Sequence, residues 1–81
     1  MNMTKIADKD HAQSVLDQLG TFIMTKKAPL LKDQDAFADE VHKTLNLYRT
    51  KINKAETSEQ FTDIVEAAKH DIKSVFDSYK E

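Results

Sequence analysis

The sequence predicts an all-α fold, a small antiparallel bundle of three main helices that forms a single domain over residues 1–81. Its single glycine and single proline leave few residues for the tight turns that an all-β fold requires. Apolar residues recur at steps of three and four in three segments, which is helical periodicity. A chain of 81 residues is also too short to form two cores. A fourth short helix would lie at the N-terminus or around residues 29–32.

The first helix is predicted in "DKDHAQSVLDQLGTFIMTKK". Its apolar stripe consists of Ala12, Val15, Leu16, Leu19, Phe22 and Ile23. Asp8 or Asp10 can cap its start by accepting from free backbone N–H groups. Gly20 lies within the stripe and marks either a close approach between helices or an early fraying point. Lys26 and Lys27 suit the negative end of the helix dipole.

The second helix carries a stripe at steps of four, four, three and four. The stripe consists of Phe37, Val41, Leu45, Tyr48 and Ile52. Two starts fit the sequence. Either Pro29 is the first helical residue, or residues 29–32 form a loop and Asp33 or Asp35 is the cap.

The third helix has the clearest start. "TSEQ" at residues 57–60 fits a capping box, in which Thr57 and Gln60 each satisfy a free backbone N–H group. A helical stripe then continues for five turns. It consists of Phe61, Ile64, Val65, Ala68, Ile72, Val75, Phe76 and Tyr79.

Several apolar residues have no place in these stripes. They are Met1, Met3, Ile6, Leu31 and Leu47. Leu47 projects about 120° from the centre of its helix's stripe, by the turn angle of an α-helix. It therefore needs another surface to cover it, which the N-terminal segment, a second copy of the chain or a partner could supply. The predicted partner-binding residues are Leu31 and Leu47, with Lys73, Tyr79 and Lys80 on the amphipathic C-terminal helix.

Catalytic and metal-binding constellations are not predicted. The chain has no cysteine, no glycine-flanked serine and too few glycines for a phosphate-binding loop. Asp39 and His42, like Glu66 and His70, have the helical spacing of metal ligands. Glu66, His70 and Asp39 point away from the apolar stripes, however, so they face solvent and cannot converge in the core. We expect a protein that is not an enzyme and has no cofactor and no metal.

Charge and hydropathy argue against two other classes of partner. Twelve basic and fourteen acidic side chains give a net charge of -2, whereas nucleic-acid binding requires a basic excess on one face. No run of about 18 apolar residues is present to insert into a membrane. The N-terminal residues have no apolar run of signal-peptide length. We therefore expect a cytoplasmic protein that binds neither nucleic acid nor the membrane interior.

The order of these features resembles a known family. A short helix "SVLDQLGTFIM", a polar gap with a proline, a long helix "DAFADEVHKTLNLYRTKINKAE" and a third helix "QFTDIVEAAKHDIKSVFDSY" are similar to the immunity proteins of pediocin-like bacteriocins. The resemblance covers residues 12–79. It implies a small cytosolic four-helix bundle from Gram-positive bacteria. Such a protein would protect its producer by contacting a bacteriocin-bound membrane permease from the cytoplasm, with specificity toward the C-terminal half.

Two functions are expected from the sequence. One is an immunity protein that acts through protein–protein contact. The other is a generic structural or regulatory helical interaction module, with a homodimer that buries Leu31 and Leu47 as one form of it.

Overall fold

The computed structural model describes residues 6 and 8–80, and these form a bundle of three α-helices with no strand among them. The helices are α1 (Lys9–Phe22), α2 (Gln34–Lys54) and α3 (Ser58–Tyr79). The predicted all-α fold with three main helices is confirmed. A π-helical turn (Ile23–Lys27) and a 3-10 turn (Ala28–Leu30) connect α1 to α2. The segment around Pro29, one of the two predicted places for a fourth short helix, therefore forms only a single turn.

The first two helices begin at aspartates, which decides between the predicted starts. The carboxylate of Asp8 accepts a hydrogen bond from the backbone N–H three residues later, at 2.7 Å. Asp33 does the same for α2 at 3.3 Å. Each carboxylate satisfies one of the N–H groups that lack a partner at a helix start. The predicted cap at Asp33 is therefore confirmed, and Pro29 lies in the 3-10 turn before it and does not begin α2.

The predicted capping box of α3 is confirmed. The backbone N–H of Gln60 donates to the Thr57 hydroxyl at 3.1 Å, and the Gln60 side-chain oxygen accepts from the backbone N–H of Thr57 at 3.1 Å. The same oxygen also accepts from the backbone N–H of Glu56, at 2.7 Å. Because two free donors are held by one side chain, the turn from α2 into α3 has a fixed direction.

The core lies where the three apolar stripes meet. All five residues of the α2 stripe are buried. Phe37 is fully buried and makes edge-to-face contacts with Phe76, at 6.0 Å between ring centroids, and with Tyr79, at 5.7 Å. These contacts join the start of α2 to the end of α3, so the two helices run antiparallel.

Polar contacts at four-residue steps join α1 to α2. Lys9 Nζ donates to the backbone oxygen of Asn53 at 2.8 Å, and Gln13 Nε2 donates to that of Arg49 at 3.3 Å. Asp17 forms an ion pair with Arg49. From position 9 to positions 13 and 17 on α1 the partner on α2 moves back from Asn53 to Arg49, so these helices also run antiparallel.

The structure corrects the prediction for Leu31. Its side chain is 6% exposed and belongs to the core, so it is not a surplus leucine. Leu31 is the first residue after the 3-10 turn and has an extended backbone, with φ -107° and ψ 152°. The chain therefore turns back toward the end of the bundle at this point.

Ile6 also has a place in the core. It is buried, and the hydroxyl of Ser58 donates to its backbone oxygen at 2.6 Å. Its backbone N–H donates to the hydroxyl of Thr62 at 3.2 Å. Met1 and Met3, the other predicted surplus residues near the N-terminus, lie outside the described residues.

Gly20 marks a close approach between helices, one of its two predicted roles. A Cβ atom at this position would lie 2.8 Å from Cδ1 of Leu45 on α2. This separation is shorter than ordinary van der Waals contact, so a larger residue requires the leucine to move. The other predicted role, an early fraying point, does not fit, because α1 continues to Phe22 and passes directly into the π-helical turn.

Candidate functional site

A cleft of about 340 Å³ lies between the last turns of α1 and the C-terminal half of α3. Its apolar lining consists of Leu19, Phe22, Ile23, Ile72 and Phe76. Ile23 and Ile72 are core residues, whereas the Phe22 side chain is 50% exposed. The cleft therefore has a buried apolar floor and an exposed aromatic wall.

Four lysines and one aspartate complete the lining of this cleft. They are Lys27, Lys69, Lys73, Lys80 and Asp77. The ammonium groups of Lys27 and Lys80 lie over the Phe76 ring, at 5.3 and 5.7 Å from its centroid. The lysine stems thus flank the apolar floor while their charged ends remain available to an occupant.

Asp77 balances only part of this positive charge. Its carboxylate accepts a hydrogen bond from Lys73 at 3.2 Å and lies 3.4 Å from the ammonium of Lys80. The hydrogen bond from Lys73 is the main reason that the pKa of Asp77 is lowered, and the charges of both lysines add to it. One carboxylate therefore serves two ammonium groups at this edge of the cleft.

The predicted partner-binding residues are only partly brought together. Lys73 and Lys80 line the cleft, and Tyr79 borders an adjacent groove that also contains Lys80 and Leu31. Leu47 lines neither. It is 52% exposed, which confirms that it lies outside the α2 stripe. The predicted homodimer would bury Leu31 and Leu47 between two copies of the chain. Leu31 is not available for that contact, because it is already buried within its own chain.

Phe22, the exposed aromatic wall of this cleft, was predicted to lie in the apolar stripe of α1, and that prediction of burial is wrong. Its position is about 120° from Leu16, by the turn angle of an α-helix. Leu16 is fully buried and Phe22 is half exposed, as that angle implies. Phe22 lies at the edge of the α1 stripe, closer to its centre than Leu47 is to the centre of the α2 stripe, so the angle alone did not identify it.

Tyr79, at the end of α3, lies near the acidic first half of α2. Burial raises the pKa of the Tyr79 hydroxyl, and the negative charges of Glu40, Asp33 and Asp39 raise it further. This end of the bundle therefore has carboxylates of α2 near Tyr79 and lysines in the neighbouring cleft.

A larger depression of about 430 Å³ lies on the other side of Phe22. Its lining, from Ser14 to Lys26, comes only from α1 and the turn that follows. A single helix provides one wall and cannot enclose an occupant, whereas the cleft between α1 and α3 provides two. Of these two, the cleft between α1 and α3 is therefore the better candidate site.

The histidines and carboxylates at metal-ligand spacing are exposed, as was predicted for three of them, Asp39, Glu66 and His70. The four residues are Asp39, His42, Glu66 and His70. Within residues 6 and 8–80, no group of three histidine, aspartate or glutamate side chains is placed to share a metal ion. No helix in that part of the chain is both long and apolar enough to cross a bilayer.

No family model, curated protein or solved structure matches this chain. The resemblance to immunity proteins therefore rests on the pattern of helices alone.

Proposed function

We propose that this protein is a non-catalytic binding module and that the cleft between α1 and α3 is its docking surface for another protein. The observation that carries the proposal is Phe22, a large aromatic residue that is half exposed beside a buried apolar floor. Binding sites commonly combine such an aromatic residue with a well-packed pocket. Covering the exposed half of Phe22 would contribute about 2 kcal/mol to binding.

The shape of the cleft supports a protein partner. Two neighbouring helices form a groove into which the side chains of a third helix can pack, as they do within helical bundles. Amphipathic helices bind grooves of this kind through their apolar face. The lysines at the edges would provide the polar rim that surrounds the apolar centre of a protein interface.

The environment of the hydroxyl groups supports a non-catalytic role. Ser58 and Ser78 donate to backbone oxygens, at 2.6 and 2.8 Å, and so serve local structure. The Tyr48 hydroxyl is held by a carboxylate, which raises its pKa to about 12. A nucleophile needs a neighbouring base that lowers the barrier to deprotonation, whereas this arrangement favours the protonated hydroxyl.

Photo-crosslinking in the cells that produce the protein tests the proposal. A benzophenone amino acid in place of Phe22 should give a discrete adduct of higher mass, because position 22 lies at the docking surface. The same amino acid in place of Leu47 is the matched control, since the two side chains are exposed to similar extents, 50% and 52%. An adduct from position 47 with none from position 22 would overturn the proposal.

Immunity to a bacteriocin is a second candidate function. It is supported by the order of the helices, a short α1, a turn containing Pro29, a long α2 and an amphipathic α3, which is the order that the resemblance implies. The test is expression in a bacteriocin-sensitive strain that is then challenged with pediocin-like bacteriocins. Survival that depends on Phe22 would unite the two proposals, whereas death under every challenge would leave only the binding module.

A further inference from the structure

We infer that the occupant of the cleft is an acidic amphipathic helix of a partner protein. This inference rests on the proposed function and names the chemistry of its partner. The chain as a whole has a net charge of -2. The cleft departs from that balance, because four lysines face one aspartate in its lining. Positive charge is thus concentrated at a two-walled cleft whose apolar wall includes the half-exposed Phe22.

The lysines retain capacity for new partners. Lys73 and Lys80 share the single carboxylate of Asp77. Lys69 lies 3.6 Å from Glu66, but both side chains are more than half exposed, so this pair is easily exchanged. The Lys27 ammonium lies over the Phe76 ring, and this contact uses none of its three N–H groups as a hydrogen-bond donor. Carboxylates on an incoming helix could therefore form ion pairs without displacing a strong existing one.

The dimensions of the cleft fit a helix of two to three turns. Its lining on α3 extends from Lys69 to Lys80, which corresponds to about 16 Å along a helix axis. The opposite wall extends from Leu19 to Lys27, or about 12 Å. A helix of roughly eight to eleven residues would span these walls at 1.5 Å per residue. Its apolar side chains, at steps of three and four, would contact Phe22, with glutamates or aspartates on both flanks.

An anionic membrane surface fits the same charge less well. Ile72, in the floor, is only 1% exposed, and the lysines lie along the edges above it. A flat bilayer surface would contact the exposed edges but could not enter between the two walls. A helix can place side chains between the walls, so its shape accounts for both the apolar floor and the charged edges.

Binding of designed peptides tests this inference. Three capped 14-residue helical peptides share one leucine face and carry either glutamate, glutamine or lysine on both flanks. Fluorescence anisotropy gives the dissociation constants, and amide shifts of the ¹⁵N-labelled protein locate the bound peptide. We expect the glutamate peptide to shift the amides of Phe22, Lys73 and Phe76. Its affinity should exceed that of the glutamine peptide by about tenfold at low salt, because two or three partly exposed ion pairs contribute.

Variants of the protein separate the effect of the lysine charges on peptide affinity from any effect of the substitutions on folding. Lys73→Gln with Lys80→Gln should weaken the glutamate peptide about tenfold and leave the glutamine peptide nearly unchanged. The matched control is Lys43→Gln with Lys54→Gln, which removes two exposed lysines from outside the cleft. Phe22→Ala should weaken both peptides. Thermal unfolding confirms that each variant is folded before its binding is compared.

The outcomes distinguish this inference from the proposed function. Equal binding of all three peptides at Phe22, or tightest binding of the lysine peptide, would overturn the acidic occupant and leave the docking cleft standing. Absence of peptide binding would also overturn the acidic helix, and absence of a crosslink from position 22 as well would overturn both proposals. Binding to phosphatidylglycerol vesicles that Lys73→Gln with Lys80→Gln abolishes, without peptide binding, would replace the helix with a membrane surface.

Discussion

The hydroxyl group of Tyr48 on α2 donates a hydrogen bond to the carboxylate of Asp71 on α3. The tyrosine ring is buried, and the carboxylate is half-buried at the edge of the core. The bond, together with burial and the negative charge of Asp71, raises the pKa of Tyr48 from 10 to about 12. The contact therefore depends on the protonated hydroxyl and joins the two longest helices.

This contact predicts a loss of stability in alkaline solution. Because the folded-state pKa of Tyr48 is raised, its contribution is fully present below pH 10 and is lost as the pH rises to about 12. Tyr48→Phe should lower the free energy of unfolding at pH 7 by about 1 kcal/mol, since it removes one partly exposed hydrogen bond to a charged group.

Urea denaturation of both proteins between pH 8 and pH 12 measures this effect. Lysines also lose their charge in this range, so the difference between wild type and Tyr48→Phe is the informative quantity. That difference should shrink as the pH rises above 10. A difference in unfolding free energy that stays constant across the range would show that ionisation of the Tyr48 hydroxyl does not reduce stability.

Three leucines in different surroundings test the assignment of the core. Leu16→Ala should lower the free energy of unfolding by about 3–5 kcal/mol, because the side chain is fully buried and leaves a cavity. Leu31→Ala should cost about 2–3 kcal/mol, since Leu31 is also buried in the core. Leu47→Ala is the matched control and should change stability by less than about 0.5 kcal/mol.

Chemical denaturation of the three variants gives these values directly. A small effect for Leu31→Ala would return Leu31 to the surface, where the sequence had placed it. A large effect for Leu47→Ala would mean that a partner or a second copy covers α2 in solution.

Periodicity predicted most of the fold because each helix has one apolar stripe. The stripe of α2 and the capping box at Thr57 could be read directly, since both depend on neighbours within one segment. Leu31 could not be placed, because its burial depends on the path of the chain through two irregular turns. Those turns have no periodic pattern, and Pro29 alone allowed either a helix start or a loop.

The candidate site was predicted only in part for a related reason. Lys73 and Lys80 stood out because they flank the apolar stripe of the C-terminal helix. Lys27 was predicted to interact with the negative end of the α1 dipole. That role needs no second helix, so it gave no indication of the cleft. The cleft exists because α1 and α3 lie side by side, and no single stripe indicates which helices are neighbours.

Thr62 anchors Ile6 to the start of α3, and removing its hydroxyl should release that anchor. Thr62→Val keeps the shape of the side chain but removes the acceptor for the backbone N–H of Ile6. Hydrogen exchange of the Ile6 amide should become about fivefold faster, because a single net hydrogen bond of about 1 kcal/mol is lost.

Thr50→Val is the control for the anchor. Its hydroxyl donates to the backbone oxygen of Asn46 in the same helix, at 3.1 Å, and is exposed. Exchange at Ile6 should be unchanged in this variant. Unchanged exchange in Thr62→Val as well would show that the bond from Ser58 to the backbone oxygen of Ile6 is sufficient to hold the segment.

The close approach of Gly20 to Leu45 predicts an energetic coupling between α1 and α2. Alanine in place of glycine favours a helix by about 1 kcal/mol. In this chain the new Cβ atom would lie 2.8 Å from Cδ1 of Leu45, so the leucine must move and lose packing. In a Leu45→Ala background the Leu45 Cδ1 atom is absent, and Gly20→Ala should then raise the free energy of unfolding by the full helix preference of alanine. Denaturation of both single variants and the double variant gives the coupling, which we expect to be about 1 kcal/mol. Additive effects would mean that the groove beside Leu45, which Met24 also lines, accepts the displaced side chain without loss of packing.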